Sequence, residues 1–257
     1  RVAGPMTRTV DDAALMMSVL SRPDRRDGMS LPALEVNWKA LEKSPRKLRI
    51  GLMLDAGSGQ KVEKDVREIA VKAAKAFESA GAVITEIDGI LTPEMLEGLD
   101  NFWRARTWDE LSKLSEADRG KTLPYILNWA EAGAKLSGVD VVRGFNQTMA
   151  IRAAAAKLFC EVDYVISPVS PVVNFPAEFA SPLNDPAKPF EHICFTVPWN
   201  MSENPALSIN GGYDKKGFPI GVQIIGRRFD DIGVLGMGKA FEGLRGPQKP
   251  WPTPPKK

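Results

Sequence analysis

Residues 48 to 88 hold the pattern that most restricts what this chain can become. LRIGLML, at 48–54, is a short continuous apolar run of strand length. After the turn Gly57-Ser58-Gly59, residues Val62, Val66, Ile69, Ala73, Phe77 and Ala80 recur at helical spacing, which predicts a helix over about 62–80. Glu63 with Arg67 and Glu68 with Lys72 stand four apart and are expected as outward pairs, and Gly81 stops the helix. AVITEID, at 82–88, is a second strand. Strand, helix and strand within about forty residues is the length of a crossover connection, which joins parallel strands. The expected class is α/β, a mixed β-sheet covered by helices.

The remaining elements fit that class. Thr9 caps VDDAALMMSVL, where Asp11 and Asp12 fall in the first turn of an amphipathic helix. From Ser21 to Arg49 the rhythm lapses into an irregular connector holding Trp38, and its basic cluster Arg46, Lys47 and Arg49 reads as a solvated face. Three helical stretches fill 93–161, with Trp103, Trp108 and Trp129 expected in their core rather than in a substrate cage. DYVIS at 163–167 is a strand, followed by a Pro-rich loop reaching Phe190. ALSIN at 206–210 and PIGVQIIG at 219–226 flank GGYDKKGF as a hairpin, and their nearly unbroken apolar character suggests strands covered on both faces. A last helix follows Asp230 to about Leu244, before the extended tail GPQKPWPTPPKK. This reads as one domain over 1–246, with a helical insertion at about 91–161 and a Pro-rich tail at 247–257.

Charge narrows the function. Against 34 basic residues stand 32 acidic ones, a formal charge of +2 with no clustered basic stripe, so nucleic acid is not an expected partner. No apolar run reaches membrane-spanning length and RVAGPMTRTV has no signal core, so neither membrane insertion nor export is expected. The absence of an initiator Met suggests a fragment. Cys160 and Cys194, both in apolar sequence surroundings, are too few for a disulfide framework and point to a reducing, cytoplasmic location. His192 is the only histidine, and with Cys194 it makes too small a ligand set for zinc, so no metal or cofactor is expected.

Self-sufficient catalytic motifs are missing: there is no G-x-S-x-G, no P-loop and no HExxH. Gly57-Ser58-Gly59 reads as a plain turn before an anion cradle, since the full glycine spacing is lacking. His192 and Cys194 lack an orienting third group, so a packed histidine is the better reading than a nucleophile pair.

The stretch FTVPWNMSENPALSINGGYDKKGFPIGVQIIGRRFDDIGVLGMGKAFE, at 195–242, resembles the C-terminal block of the amidase signature family, the Ser-Ser-Lys amide hydrolases. GPMTRTVDDAALMMSVLSRPDRRD at 4–27, LRIGLMLDAG at 48–57 and DYVISPVSP at 163–171 follow that family's order. The resemblance implies a mixed sheet wrapped by helices and acyl transfer through a serine, relayed by a cis-bonded serine to a neutral lysine. Those three residues belong to the family's N-terminal half, so by match no residue here is catalytic. The implied function is the C-terminal part of an amidase acting on a small-molecule amide, with the missing N-terminal catalytic half as partner and the chain alone inactive. The alternative is a non-catalytic α/β binding module or subunit, including an amidotransferase A-subunit-like partner. A homodimer is a compatible assembly.

By the same resemblance the pocket wall falls on two segments. One holds Ser167, Val169 and Ser170; the other runs from His192 and Ile193 through Trp199 and Asn200 to Glu203 and Asn204. The alternative for each is loop geometry, with Pro168, Pro171, Pro198 and Pro205 fixing the backbone and the asparagines bonding it. Glu203 stands where family members often have Gly, and Ile209-Asn210-Gly211 replaces a Pro-X-Gly turn. Ile193 occupies the approximate place of an acidic residue that holds glutamine in the tRNA-dependent amidotransferase branch, which favours a general amide.

Overall fold

A computed structural model describes residues 4–250 and 253. Its centre is a five-stranded sheet in the order β2-β1-β3-β5-β4, formed by β1 (Arg49–Met53), β2 (Val83–Ile87), β3 (Tyr164–Pro168), β4 (Ala206–Tyr213) and β5 (Pro219–Ile225). β1 pairs in parallel with both β2 and β3, whereas β5 runs antiparallel to β3 and β4. The expected mixed α/β sheet is therefore present, with the crossover at its parallel edge.

Helices cover both faces. On one lie α1 (Val10–Leu20), α2 (Lys64–Ser79) and α8 (Asp231–Leu244), packed on Ile50, Leu52, Ile166, Val222 and Ile224. Phe77 of α2 stacks on Phe241 of α8 with ring centroids 5.5 Å apart. On the other lie α3 (Pro93–Ser112), α6 (Gly138–Glu161) and α7 (Val197–Ser202), around Met53, Val165 and Ile225. The alternation of Ile50 and Leu52 against Met53 is the two-residue period of a strand buried on both sides. Short helices α4 (Glu116–Arg119) and α5 (Pro124–Glu131) join α3 to α6, whose start is a capping box of Ser137 and Asp140.

Several expectations need correction. On α2, Glu68 pairs with Lys64 at 3.8 Å rather than with Lys72, and Arg67 reaches Glu86 of β2 at 3.4 Å. Glu63 is drawn away from Arg67 because its carboxylate accepts the Val173 N–H. Arg49, exposed as expected with Arg46 and Lys47, is not free: it grips Asp163 at 2.9 Å. Cys160 is exposed while Cys194 is buried, and both are free thiols. β4 continues through Gly211 and Gly212 to Tyr213, because a bulge between Asn210 and Gly212 absorbs the two glycines and leaves a shorter turn capped by Asp214. β5 is covered on both faces by elements of this chain, but β4 is an edge strand with Ala206 and Ser208 exposed. The start of the tail docks on β4, where Gln248 Oε1 accepts Asn210 Nδ2 at 2.8 Å. Residues 251, 252 and 254–257 of the tail lie outside the described residues.

Candidate functional site

In open α/β sheets, ligands gather beyond the carboxyl ends of the parallel strands. At that end of β1 and β3 three segments meet: residues 54–63, residues 169–173 and a 3₁₀ turn at Glu191–Ile193. Backbone bonds tie them, from Gln60 N to Glu191 O at 2.9 Å and from Glu63 N to Pro171 O at 2.8 Å. The Gly57-Ser58-Gly59 turn works by close approach. Gly59 has φ +119°, and a Cβ there would lie 2.4 Å from Cys194 Cβ and 2.8 Å from Glu191 O, so only glycine lets the two segments touch.

Ser167 lies fully buried beneath this junction. Its Oγ donates to Pro168 O at 2.8 Å and accepts from Gln223 Nε2 at 3.1 Å. Gln223 Nε2 also donates to Phe195 O at 2.7 Å, so one carboxamide joins β5, β3 and the segment entering α7. Val169 packs over Gly221, and Ser170 Oγ accepts the Val172 N–H at 3.3 Å. His192 meets the Phe175 ring edge-on, with centroids 6.4 Å apart. Burial lowers its pKa, which keeps the imidazole neutral at pH 7. His192 Nδ1 and Gln60 Oε1 are buried without a protein partner. Ile193 packs on the second core, and burial pushes the neighbouring Cys194 thiol up to about 11, far from a reactive thiolate.

Of the other expected residues, Trp199 and Asn200 lie on a short helix rather than a loop, and Glu203 and Asn204 follow its end. Pro198 sits in the first turn of the short helix α7, which carries the chain across the sheet face; six residues are too few to give a readable helical period. Trp199 is core, its ring against Phe159 at 6.2 Å. Asn200 is exposed and bonds back to Thr196 O at 3.1 Å. Glu203 ends α7 in the left-handed region at φ +61° and forms ion pairs with both Arg152 and Arg228. Asn204 Nδ2 donates to Gly226 O at 2.8 Å. Because β5 is antiparallel to β3, Gly226 lies at the opposite end of the sheet from Ser167. The structure thus gathers Ser167, Val169, Ser170, His192 and Ile193 at one end and sets Glu203 and Asn204 at the other.

The helices at 93–161 frame the Pro-rich loop. Arg104 pairs with Asp100 at 2.8 Å and donates to Trp129 O at 3.0 Å and Pro186 O at 2.7 Å. Trp129 Nε1 donates to the other Asp100 oxygen at 2.7 Å, while burial raises the Asp100 pKa. Trp103 and Trp129 hold Phe190 at 4.8 and 5.7 Å, edge to face, which makes them structural as expected. Gln223 and Gln60 went unread as site residues; the available signal was a lone amide inside the apolar strand PIGVQIIG. Among the described residues no group of three or more His, Cys, Asp or Glu could hold a metal ion. No helix among them is long and apolar enough to cross a membrane.

Known proteins agree with this architecture. The family model described as Amidase matches residues 1–235. An acylamidase of Rhodococcus erythropolis is 31% identical over 260 residues, covering 96% of this chain and 52% of that protein. The A subunit of the glutamyl-tRNA(Gln) amidotransferase of Myxococcus xanthus (strain DK1622) is 29% identical, covering 93% and 54%. The crystal structure of a bacterial aryl acylamidase of the amidase signature family superposes with a TM-score of 0.81 at 27% identity, over 94% of this chain and 52% of that one. A 6-aminohexanoate cyclic dimer hydrolase shares the fold at TM-score 0.72 and 20% identity, over 92% and 53%. The chain spans about half the length of the curated relatives it matches. With the overall fold and the family model in agreement, the chain belongs to the amidase signature family.

Proposed function

We propose that this chain forms the pocket-wall part of an amidase that hydrolyses a carboxylic amide to an acid plus ammonia or an amine. A serine hydroxyl attacks the carbonyl, the C–N bond breaks with the proton passing to the leaving nitrogen, and water then cleaves the acyl ester. In this reading the serine, its relay serine and the lysine base stand on a polypeptide segment outside these 257 residues, and the chain alone is inactive. The observation that carries it is the family match over 1–235 combined with a strand-end junction whose Ser167 hydroxyl is buried and hydrogen-bonded and whose Cys194 thiol is buried. Ser167 is held by Gln223 and Pro168, and neither sulfur nor hydroxyl there has a basic partner.

The domain reading accompanies this proposal: residues 1–246 form one folding unit, with 91–161 as the helical frame of the Pro-rich loop and 247–257 as a tail. Val169, Ser170, His192 and Ile193 then form the wall beside the acyl group, backed from beneath by the buried Ser167, with neutral His192 and apolar Ile193 favouring an uncharged amide over glutamine. Trp199 and Asn200 brace that wall through α7, while Glu203 and Asn204 act at a distance by holding its far end. The apolar face of α1, where Leu15, Met16, Val19 and Leu20 are exposed together with Leu31 and Leu34, supports a covering catalytic segment as partner. The two free thiols are in keeping with a cytoplasmic location. The test is a serine-directed fluorophosphonate applied to this chain, read by intact mass. No adduct is expected; a stoichiometric adduct on any serine would overturn the assignment.

A further inference from the structure

The outward line of α6 is the least explained surface of the molecule. Its inward face, with Gly144, Ile151, Ala155 and Phe159, packs on the core. Half a turn away lie Val142, Phe145, Met149, Ala153, Ala156 and Cys160, all exposed, spaced three or four apart along the helix and without a single charge. Val139 extends the line by one turn. The exposed fractions are 58% for Val139, 58% for Val142, 47% for Phe145 and 49% for Met149. Phe145 leans on Phe102 of α3, centroids 5.3 Å apart, which keeps its ring on the surface. A helix facing water on one side ordinarily carries its charges there; on α6 the exposed Arg143 and Lys157 flank the line and do not interrupt it.

We propose that this line is the contact between two copies of the chain, with α6 crossing its symmetry mate antiparallel about a two-fold axis at Met149. The order of sizes argues for a second copy. Reversing the helix about residue 149 sets Val142 opposite Ala156 and Phe145 opposite Ala153, bulky against small at each step, with Met149 meeting itself. That self-complementarity is what an isologous contact requires, and small residues opposite large ones let two helices approach and interlock. The stripe offers roughly 500 Å² per copy, about 1,000 Å² for the pair, at the lower limit of specific interfaces and so suited to a reversible dimer.

Sedimentation equilibrium of the 257-residue chain tests this across a concentration series. The expected result is a reversible rise to twice the monomer mass by roughly 100 μM. Met149→Glu, an exposed change, should weaken association at least tenfold, whereas Leu15→Glu on α1 should leave it unchanged. In a Cys160→Ser background, Met149→Cys should give a disulfide-linked pair with oxidised glutathione, which is reduced to two thiols as the bond forms. The Cys160→Ser parent should give none. A monomer at every concentration, a dimer broken by Leu15→Glu but not by Met149→Glu, or no linked pair from the cysteine variant would each overturn the proposal.

Discussion

Replacing Gln223 by leucine keeps the bulk of a side chain that is 4% exposed but removes both of its donated hydrogen bonds. Ser167 Oγ loses one partner yet still donates to Pro168 O, so that loss costs about 1 kcal/mol, the net worth of a single bond. Phe195 O loses the 2.7 Å bond from Gln223, and an unpaired buried carbonyl costs about 1–3 kcal/mol. The sum is about 2–4 kcal/mol. At a urea slope of about 3 kcal/mol/M, the unfolding midpoint followed by circular dichroism should fall by about 1 M. Ser167→Ala removes the bond from Gln223 and the bond to Pro168 O and should cost about 1–3 kcal/mol, and the double variant should recover about 1 kcal/mol relative to the two single changes added. A midpoint within about 0.2 M of the parent, or no coupling between the two positions, would refute the view that Ser167 is a structural hydroxyl.

Gly59→Ala forces a Cβ into Cys194 and Glu191 O at φ +119°, and should cost about 2–4 kcal/mol, seen as a fall in Tm of roughly 5–10 °C by scanning calorimetry. Phe77→Ala opens a cavity under Phe241 and should cost about 3–5 kcal/mol in urea unfolding. The Arg49 guanidinium holds the Asp163 carboxyl below its usual value of 3.8, so its contribution is present above that value and is lost as pH falls through the lower folded pKa. Asp163→Asn should therefore cost up to about 1 kcal/mol at pH 7, discounted for solvent exposure, and the gap from the parent should close in unfolding series taken below about pH 4. A gap that widens in acid would contradict the ion pair.

What could be read from the chain was what short-range physics writes into it. The crossover at 48–88 declared itself because Val66, Ala73 and Phe77 repeat at helical spacing between two apolar runs, and Gly81 ended the helix. α1 was legible through Thr9, whose hydroxyl accepts the Asp12 N–H. α7 was not, because six residues beginning near a proline leave no period and their helix is fixed by burial of Val197 and Trp199. The length of β4 was hidden by Gly211 and Gly212, which read as turn residues until the bulge places them against β5. The candidate site was half legible for a topological reason. Ser167 and His192 are brought together by strand ends, but Glu203 and Asn204 follow a helix that crosses the sheet, and no local pattern announces that crossing. Ion pairs across long separations, such as Glu203 with Arg152 and Arg228, likewise depend on the completed fold.

The assignment of catalysis to a separate segment is tested most directly by ammonia release from a panel of aliphatic and aromatic primary amides, measured on this chain alone and again after mixing it with a separately produced N-terminal half of an amidase signature enzyme. No turnover is expected from the chain alone, and turnover is expected in the mixture. Ammonia release by the purified chain would contradict the assignment, because a nucleophile would then have to come from within these 257 residues.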